Sequence, residues 1–342
     1  MNERQHAGAY AAASAPRPWI RLLAAYRDPS PLRSLFEISV TFLPFAGLWA
    51  LAWAAVHLGY WEASLLPSLL AAGLLVRLFM IQHDCGHGAF FRQRGLNDWL
   101  GRALGVLTLT PYDAWRRAHA IHHASSGNLA RRGTGDIDTL TIGEYRSLGF
   151  WSRLRYRAYR HPLVMFGLGP AYLFLLRHRL PPGPGRARRD WISAMATNLA
   201  VAGLAGSLIW AVGVGPFLLV QLPITLAAGA AGVWLFFVQH QFEDTYWAAG
   251  AAWSPQEAAL RGSSHYDLPG ALRWLTANIG IHHVHHLASR IPFYRLPRVL
   301  RDYPELGAAS RLTLRQSLGC VRLALWDETQ KRLVSFREAR GK

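Results

Sequence analysis

Four long apolar segments constrain this chain more than anything else in its sequence. Ile38–Val56, Trp191–Val212 and Pro216–Val238 contain no charged residue, and Ser64–Gln82 contains one, Arg77. A hydrocarbon core about 30 Å thick is crossed by roughly 20 helical residues. Inside it, backbone amides must be satisfied within the helix itself. The expected fold is therefore an all-α integral membrane protein with four transmembrane helices. The links Tyr60-Trp61-Glu62 and Gly213-Val214-Gly215 are short and lack Lys and Arg, so the spans pair as two hairpins. The segment from His83 to Asp190 and the tail after Val238 are rich in Arg. The positive-inside rule puts both in the cytoplasm with the amino terminus.

Shorter stretches fill in the cytosolic side. Leu163–Leu176 is expected as an interfacial or re-entrant helix, and Leu96–Thr110, interrupted by Asp98 and Arg102, as an interfacial one. Pro181-Pro182-Gly183-Pro184-Gly185 breaks the chain before the third span. The tail after Leu287 is expected as soluble helices that complete a cytosolic helical cap. Residues 1–36 form a cytosolic amino-terminal segment without the apolar core of a signal peptide, residues 37–337 the membrane domain, and 338–342 a tail.

The formal net charge is +17, carried almost wholly by Arg, with Lys only at Lys331 and Lys342. Such charge beside apolar spans fits a cytoplasmic membrane face. No nucleic-acid-binding signature accompanies it, so no nucleic-acid partner is expected. The two cysteines, Cys85 and Cys320, make neither a disulfide framework nor a Cys-x-x-Cys motif.

The chemistry lies in three histidine clusters: His83-Asp84-Cys85-Gly86-His87, His119-Ala120-Ile121-His122-His123 and His282-His283-Val284-His285-His286. Helical spacings of three and four residues put side chains on one face. His83 therefore joins His87, His119 joins His122 and His123, and His282 joins His285 and His286. The topology sets all three clusters, and His240 just past the fourth span, at the cytosolic ends of the spans. Nitrogen ligation with few carboxylates suits iron, zinc, copper or nickel. So many ligands exceed the needs of one ion and fit two with positions left open. A structural zinc site would be tetrahedral and rich in cysteine. Two iron ions beside a membrane point to O2-dependent oxidation of a lipid.

Together with their flanks, the clusters resemble the membrane fatty acid desaturase family, most closely the bacterial acyl-lipid enzymes. The resemblance rests on the three boxes and on Arg131-Arg132-Gly133-Thr134-Gly135-Asp136, Gln239-His240-Gln241-Phe242-Glu243-Asp244 and Asn278-Ile279-Gly280-Ile281 before the third box. It covers the chain from about Ser34 to about Phe336. It implies a di-iron site that takes O2 as co-substrate and puts a cis double bond into a lipid-linked acyl chain. Electrons come from a separate ferredoxin, flavodoxin or cytochrome b5-type protein, and the enzyme sits in the bacterial cytoplasmic membrane. Carried over by position, the metal ligands are His83, His87, His119, His122, His123, His282, His285 and His286, with His240 as a further ligand.

Asp84 is expected behind the ligands, accepting an imidazole N–H, ahead of Glu243 and Asp244 in the same role, while Asp136 is read instead as a loop ion pair with Arg131 and Arg132 or as facing lipid phosphate. His283 falls off the ligand face. His265 is read as a loop or headgroup residue, and His6, His57, His161 and His178 as surface or interfacial. Arg77 is read as snorkelling to the cytosolic interface. A di-iron lipid or carotenoid hydroxylase or ketolase would share the boxes. A metal transporter or sensor would instead place its ligands at mid-membrane.

Overall fold

The computed structural model describes residues 19–180 and 188–341. The first half of the amino-terminal segment (with His6), the Pro181–Gly185 break and Lys342 lie outside them. Among the described residues, four helices are long and apolar enough to cross a membrane. The first is α1 (Pro31–His57), opened by Ser30, whose side chain accepts from the Arg33 amide, and by proline at the first turn. Then come α2 (Leu65–Gly86), the shorter α3 (Arg94–Leu107), α4 (Tyr112–Ser125) and α5 (Phe150–Tyr159), and the last two spans, α6 (Arg188–Val212) and α7 (Val214–His240). Gly213, at φ +86°, reverses the chain between α6 and α7 in a conformation that favours glycine.

The helices overrun the apolar segments, and the overrun carries function. α2 continues to Gly86 and keeps His83 on its last turn, and α7 continues to His240. In its most apolar stretch, α2 is 67% buried, against 22%, 17% and 28% for α1, α6 and α7. The second span is therefore the central one, and the others turn large faces to lipid, as Leu43, Leu199 and Trp210 do.

Arg77 does not snorkel. It is 1% exposed and pairs with Glu37 of α1, which is 2% exposed. Its Nε donates to Thr41 Oγ1 at 3.0 Å, its Nη1 donates to the Trp274 carbonyl, and its guanidinium carbon lies 4.2 Å from the centroid of the Trp274 ring. A charge inside a span is tolerated when it is paired and hydrogen-bonded. The partner sits on another segment, which is why spacing within α2 did not reveal it.

The interfacial elements are helical as expected. On α3, Trp99 is exposed while Asn97 and Leu104 are buried. The stretch from Val164 to Leu176 winds as π turns, Val164–Leu168 and Tyr172–Leu176, around Gly169–Ala171. It lies against α7, where Phe166 packs edge-on to Trp234 and Phe237.

The cap holds α8 (Pro255–Gly262) and the short α9 (His282–Leu287). It also contains strands, a departure from the expected helical tail. β1 (Leu140–Thr141) pairs in parallel with β4 (Leu323–Asp327), which pairs antiparallel with β5 (Arg332–Ser335). β2 (His265–Asp267) pairs in parallel with β3 (Arg311–Thr313). These strands are too short for a period to show in sequence. The turn between β4 and β5 is held by Asp327, whose Oδ1 accepts from the Thr329 and Gln330 amides at 2.9 Å each.

Candidate metal centre

Each histidine reaches the centre on an element whose end is fixed by local sequence. His83 rides the last turn of α2, and His87 caps that helix, its amide 3.2 Å from the His83 carbonyl. His119, His122 and His123 share one face of α4, and His240 ends α7. Before α9, Ala277 and Asn278 take positive φ, at 51° and 56°. Gly280 then runs so close to the chain that a Cβ would lie 2.3 Å from the Tyr266 carbonyl oxygen. That close passage tethers the turn before α9, whose helical spacing puts His282, His285 and His286 on one face.

The structure brings nine histidines together in two groups: His83, His87, His119, His123 and His285; and His122, His240, His282 and His286. Within each group the facing ring nitrogens lie within 4.8 Å of one another. Among the described residues, neither group includes a carboxylate or a thiolate. In the first, Nε2 atoms stand 3.0 Å apart for His87 and His119, 3.1 Å for His119 and His123, and 3.1 Å for His123 and His285. In the second they stand 3.2 Å apart for His122 and His240, 3.1 Å for His240 and His282, and 3.1 Å for His282 and His286.

These contacts are not hydrogen bonds throughout. His122 Nδ1 is in hydrogen-bond contact with Asp136 Oδ1, and His240 Nδ1 lies 3.0 Å from the Gly262 carbonyl oxygen. An ionised carboxylate and a carbonyl only accept, so each Nδ1 carries the proton and each Nε2 presents a lone pair. Two lone pairs 3.2 Å apart repel unless a cation lies between them. Two nitrogens about 2.1 Å from one ion and at right angles to each other are about 3.0 Å apart. The spacings therefore fit a metal ion in each group. Burial also pushes His87, His119, His123, His282, His285 and His286 well below the ordinary imidazole value, which holds them neutral as ligation requires.

The supporting carboxylates rank differently from the expectation. Asp136 contacts a group histidine directly, through His122. Asp84 spends Oδ2 on the Phe293 amide at 2.7 Å, and its Oδ1 is a long 3.4 Å from His83 Nδ1. It ties α2 to the loop after the third box more than it orients a ring. The sequence signal for Asp136 was Gly133-Thr134-Gly135, whose glycines take φ +105° and +74° and turn the loop back onto α4. Arg132 pairs with Glu144 rather than Asp136, and Glu243 with Arg332 at 2.7 Å. His283 points away from the centre, with Nε2 2.8 Å from the Leu306 carbonyl. His265 is no headgroup residue: it lies in β2, 8% exposed, with Nδ1 2.7 Å from the Gly307 carbonyl.

Against the histidines lies an apolar cavity of ≈ 860 Å³, within the range of sites for sizeable ligands. Leu75, Phe79 and Met80 of α2 and Thr225, Gly229 and Val233 of α7 line its shaft. His83, His119 and His282 line it too, so it touches both groups. His178, expected as surface or interfacial, also lines it; burial pushes its pKa down to about 4.

Fold and site together define a helical membrane protein with clustered histidines at the end of a lipid-sized cavity. Sequence comparison makes the class specific. The fatty acid desaturase family model matches residues 60–317, and the chain belongs to that family. It is 46% identical over 315 residues to a fatty acid desaturase of Bacillus subtilis, covering 92% of this chain and 89% of that one. It is 29% identical over 291 residues to the sn-1 acyl-lipid omega-3 desaturase (ferredoxin) of Synechocystis sp., covering 79% and 75%. A third relative, the sn-1 oleoyl-lipid 12-desaturase of Synechocystis sp., is 29% identical over 224 residues, 65% and 63% of the two chains.

Proposed function

We propose that this enzyme introduces a cis double bond into an acyl chain carried by a membrane lipid, using O2 and electrons from a separate redox protein. The observation that carries the reading is the meeting of two all-histidine groups with one apolar cavity. Two iron ions fit the sites, one held by His83, His87, His119, His123 and His285, the other by His122, His240, His282 and His286. When bound, they would supply the electron transfer to O2 and the oxidising power that removes two hydrogens from adjacent carbons. The chain's own residues do the rest. Asp136 and the Gly262 carbonyl hold the protons of His122 and His240 on Nδ1 and so aim both Nε2 atoms inward. The cavity walls exclude water and fix which methylenes lie beside the histidines.

The histidines and Arg-rich elements lie at the cytoplasmic face in this reading, with both termini on that side of a bacterial inner membrane. The electron donor is of ferredoxin, flavodoxin or cytochrome b5 type, and the name of one Synechocystis relative includes ferredoxin. The test is expression in a host without desaturases of its own, followed by gas chromatography with double-bond location. New cis double bonds that vanish in His87→Ala support the reading. Oxygenated lipid without new double bonds would indicate a hydroxylase and overturn it.

A further inference from the structure

Two buried polar groups beside the four-histidine group have no partner among the described residues: Thr245 Oγ1 and Trp247 Nε1. Thr245 is 2% exposed and Trp247 6%. A hydroxyl or indole N–H left dry in such a place is destabilising, so a hydrogen-bond partner is called for. Both residues line one small chamber of ≈ 10 Å³, together with His122, His240, Asp136 and Gln241. That volume admits about one water molecule. Gln241 is held in the wall, its Oε1 accepting from Arg160 Nη2 at 2.9 Å and from Thr139 Oγ1 at 3.2 Å. The chamber is distinct from the acyl cavity. Asp136, Ile137 and Phe236 line both and so separate them, while Ser126, Gly127 and Tyr246 of the cap loops line the chamber only.

The desaturase reaction proposed above needs such a place. One CH2–CH2 unit, O2, two electrons and two protons give one CH=CH unit and two waters. The two protons come from solution, and the waters must leave. An acyl chain filling an apolar cavity blocks both movements on that side.

We propose that the chamber holds an ordered water bonded to Thr245 Oγ1 and Trp247 Nε1, and that this water is the inner end of the path by which solvent protons reach the centre and product water leaves it. The hydroxyl accepts and donates, so it passes a proton to or from the water without a net change of its own. The indole N–H only donates, which orients the water's lone pair. Thr245 is thus a positioning residue that acts through the water, and the proposal rests on the desaturase reading for its second half alone.

The test uses the iron-loaded full chain and two substitutions, Thr245→Val, which removes the hydroxyl at nearly constant shape, and Thr245→Ser, which keeps it. A map that resolves ordered water should show density within hydrogen-bond distance of Thr245 Oγ1 and Trp247 Nε1 in the unsubstituted protein and in T245S. The density should be missing in T245V. T245V should keep its iron but form double bonds about tenfold more slowly, less than the roughly 10²- to 10⁴-fold of direct proton transfer by a side chain, because Thr245 acts only through the water. It should also oxidise more reductant per double bond and show a larger solvent deuterium effect, with T245S matching the unsubstituted protein in all three. An empty chamber in the map, or T245V equal to the unsubstituted protein in rate and isotope effect, would overturn the proposal. Unsubstituted protein that makes no double bonds would instead overturn the desaturase reading, and the map would then decide the water site by itself.

Discussion

His122 and His240, 118 residues apart in sequence, face each other Nε2 to Nε2 at 3.2 Å with both Nδ1 atoms already engaged. The pair joins α4 to the end of the last span through a contact that is repulsive without a cation. Replacing either residue should therefore empty the four-histidine group while sparing the other five. His240→Ala should retain about half of the metal of the unsubstituted protein, remain in the membrane and lose desaturation. Elemental analysis per chain checks this. His283→Ala supplies the contrast: its ring bonds the Leu306 carbonyl instead. That variant should keep its metal and lose about 1–3 kcal/mol of stability; full metal in H240A would refute the grouping.

Asp136 fixes the tautomer of His122 by hydrogen bonding to its Nδ1. Asp136→Asn keeps the shape but offers a neutral oxygen or an N–H in place of the carboxylate. Metal affinity at the four-histidine group should fall about 10- to 100-fold, with the five-histidine group unchanged. Competition with a graded series of chelators reads both. Equal weakening of the two groups would mean that Asp136 shapes the α4 loop rather than one ligand.

The Arg77–Glu37 pair is buried between the first two spans. Arg33 still bonds Glu37 Oε1 at 2.8 Å, but without Arg77 the buried Oε2 loses its partner, so Arg77→Met should destabilise the protein by up to about 3 kcal/mol, the lower end of the cost of breaking a buried pair. The double change Arg77→Met with Glu37→Leu should recover most of that loss. Unfolding midpoints in detergent measure both. If R77M is harmless, the pair does not hold the hairpin.

The far end of the cavity is marked by Thr225, fourteen residues before Gln239 on the same helix and so about 21 Å away along it. Thr225→Trp should fill that end. Activity on long acyl chains should drop at least about tenfold while iron content stays constant, because the change lies several turns from the histidines. Comparing kcat/KM across acyl lengths tests this, and an unchanged length profile would place the acyl chain elsewhere.

What the sequence made legible follows from where each signal lies. The spans and box spacings are local patterns, and they located the four helices and the clustered histidines. Metal grouping is not local. His123 and His122 are adjacent yet fall in different groups, because a one-residue step turns a helix by about a quarter to a third of a circle. His285 and His286 divide in the same way. Asp136 was ranked low and Glu37 carried no signal for a related reason: each finds its partner on another element, His122 and Arg77. The short strands of the cap were missed because pairing with distant segments, not composition, makes them strands.

The metal content of the purified protein, measured per chain alongside its activity, decides whether two histidine-held ions do the chemistry. About two iron ions per chain are expected, both lost when the histidines of both groups are replaced. One ion per chain at full activity, or firmly bound zinc with no oxidase activity, would contradict that expectation.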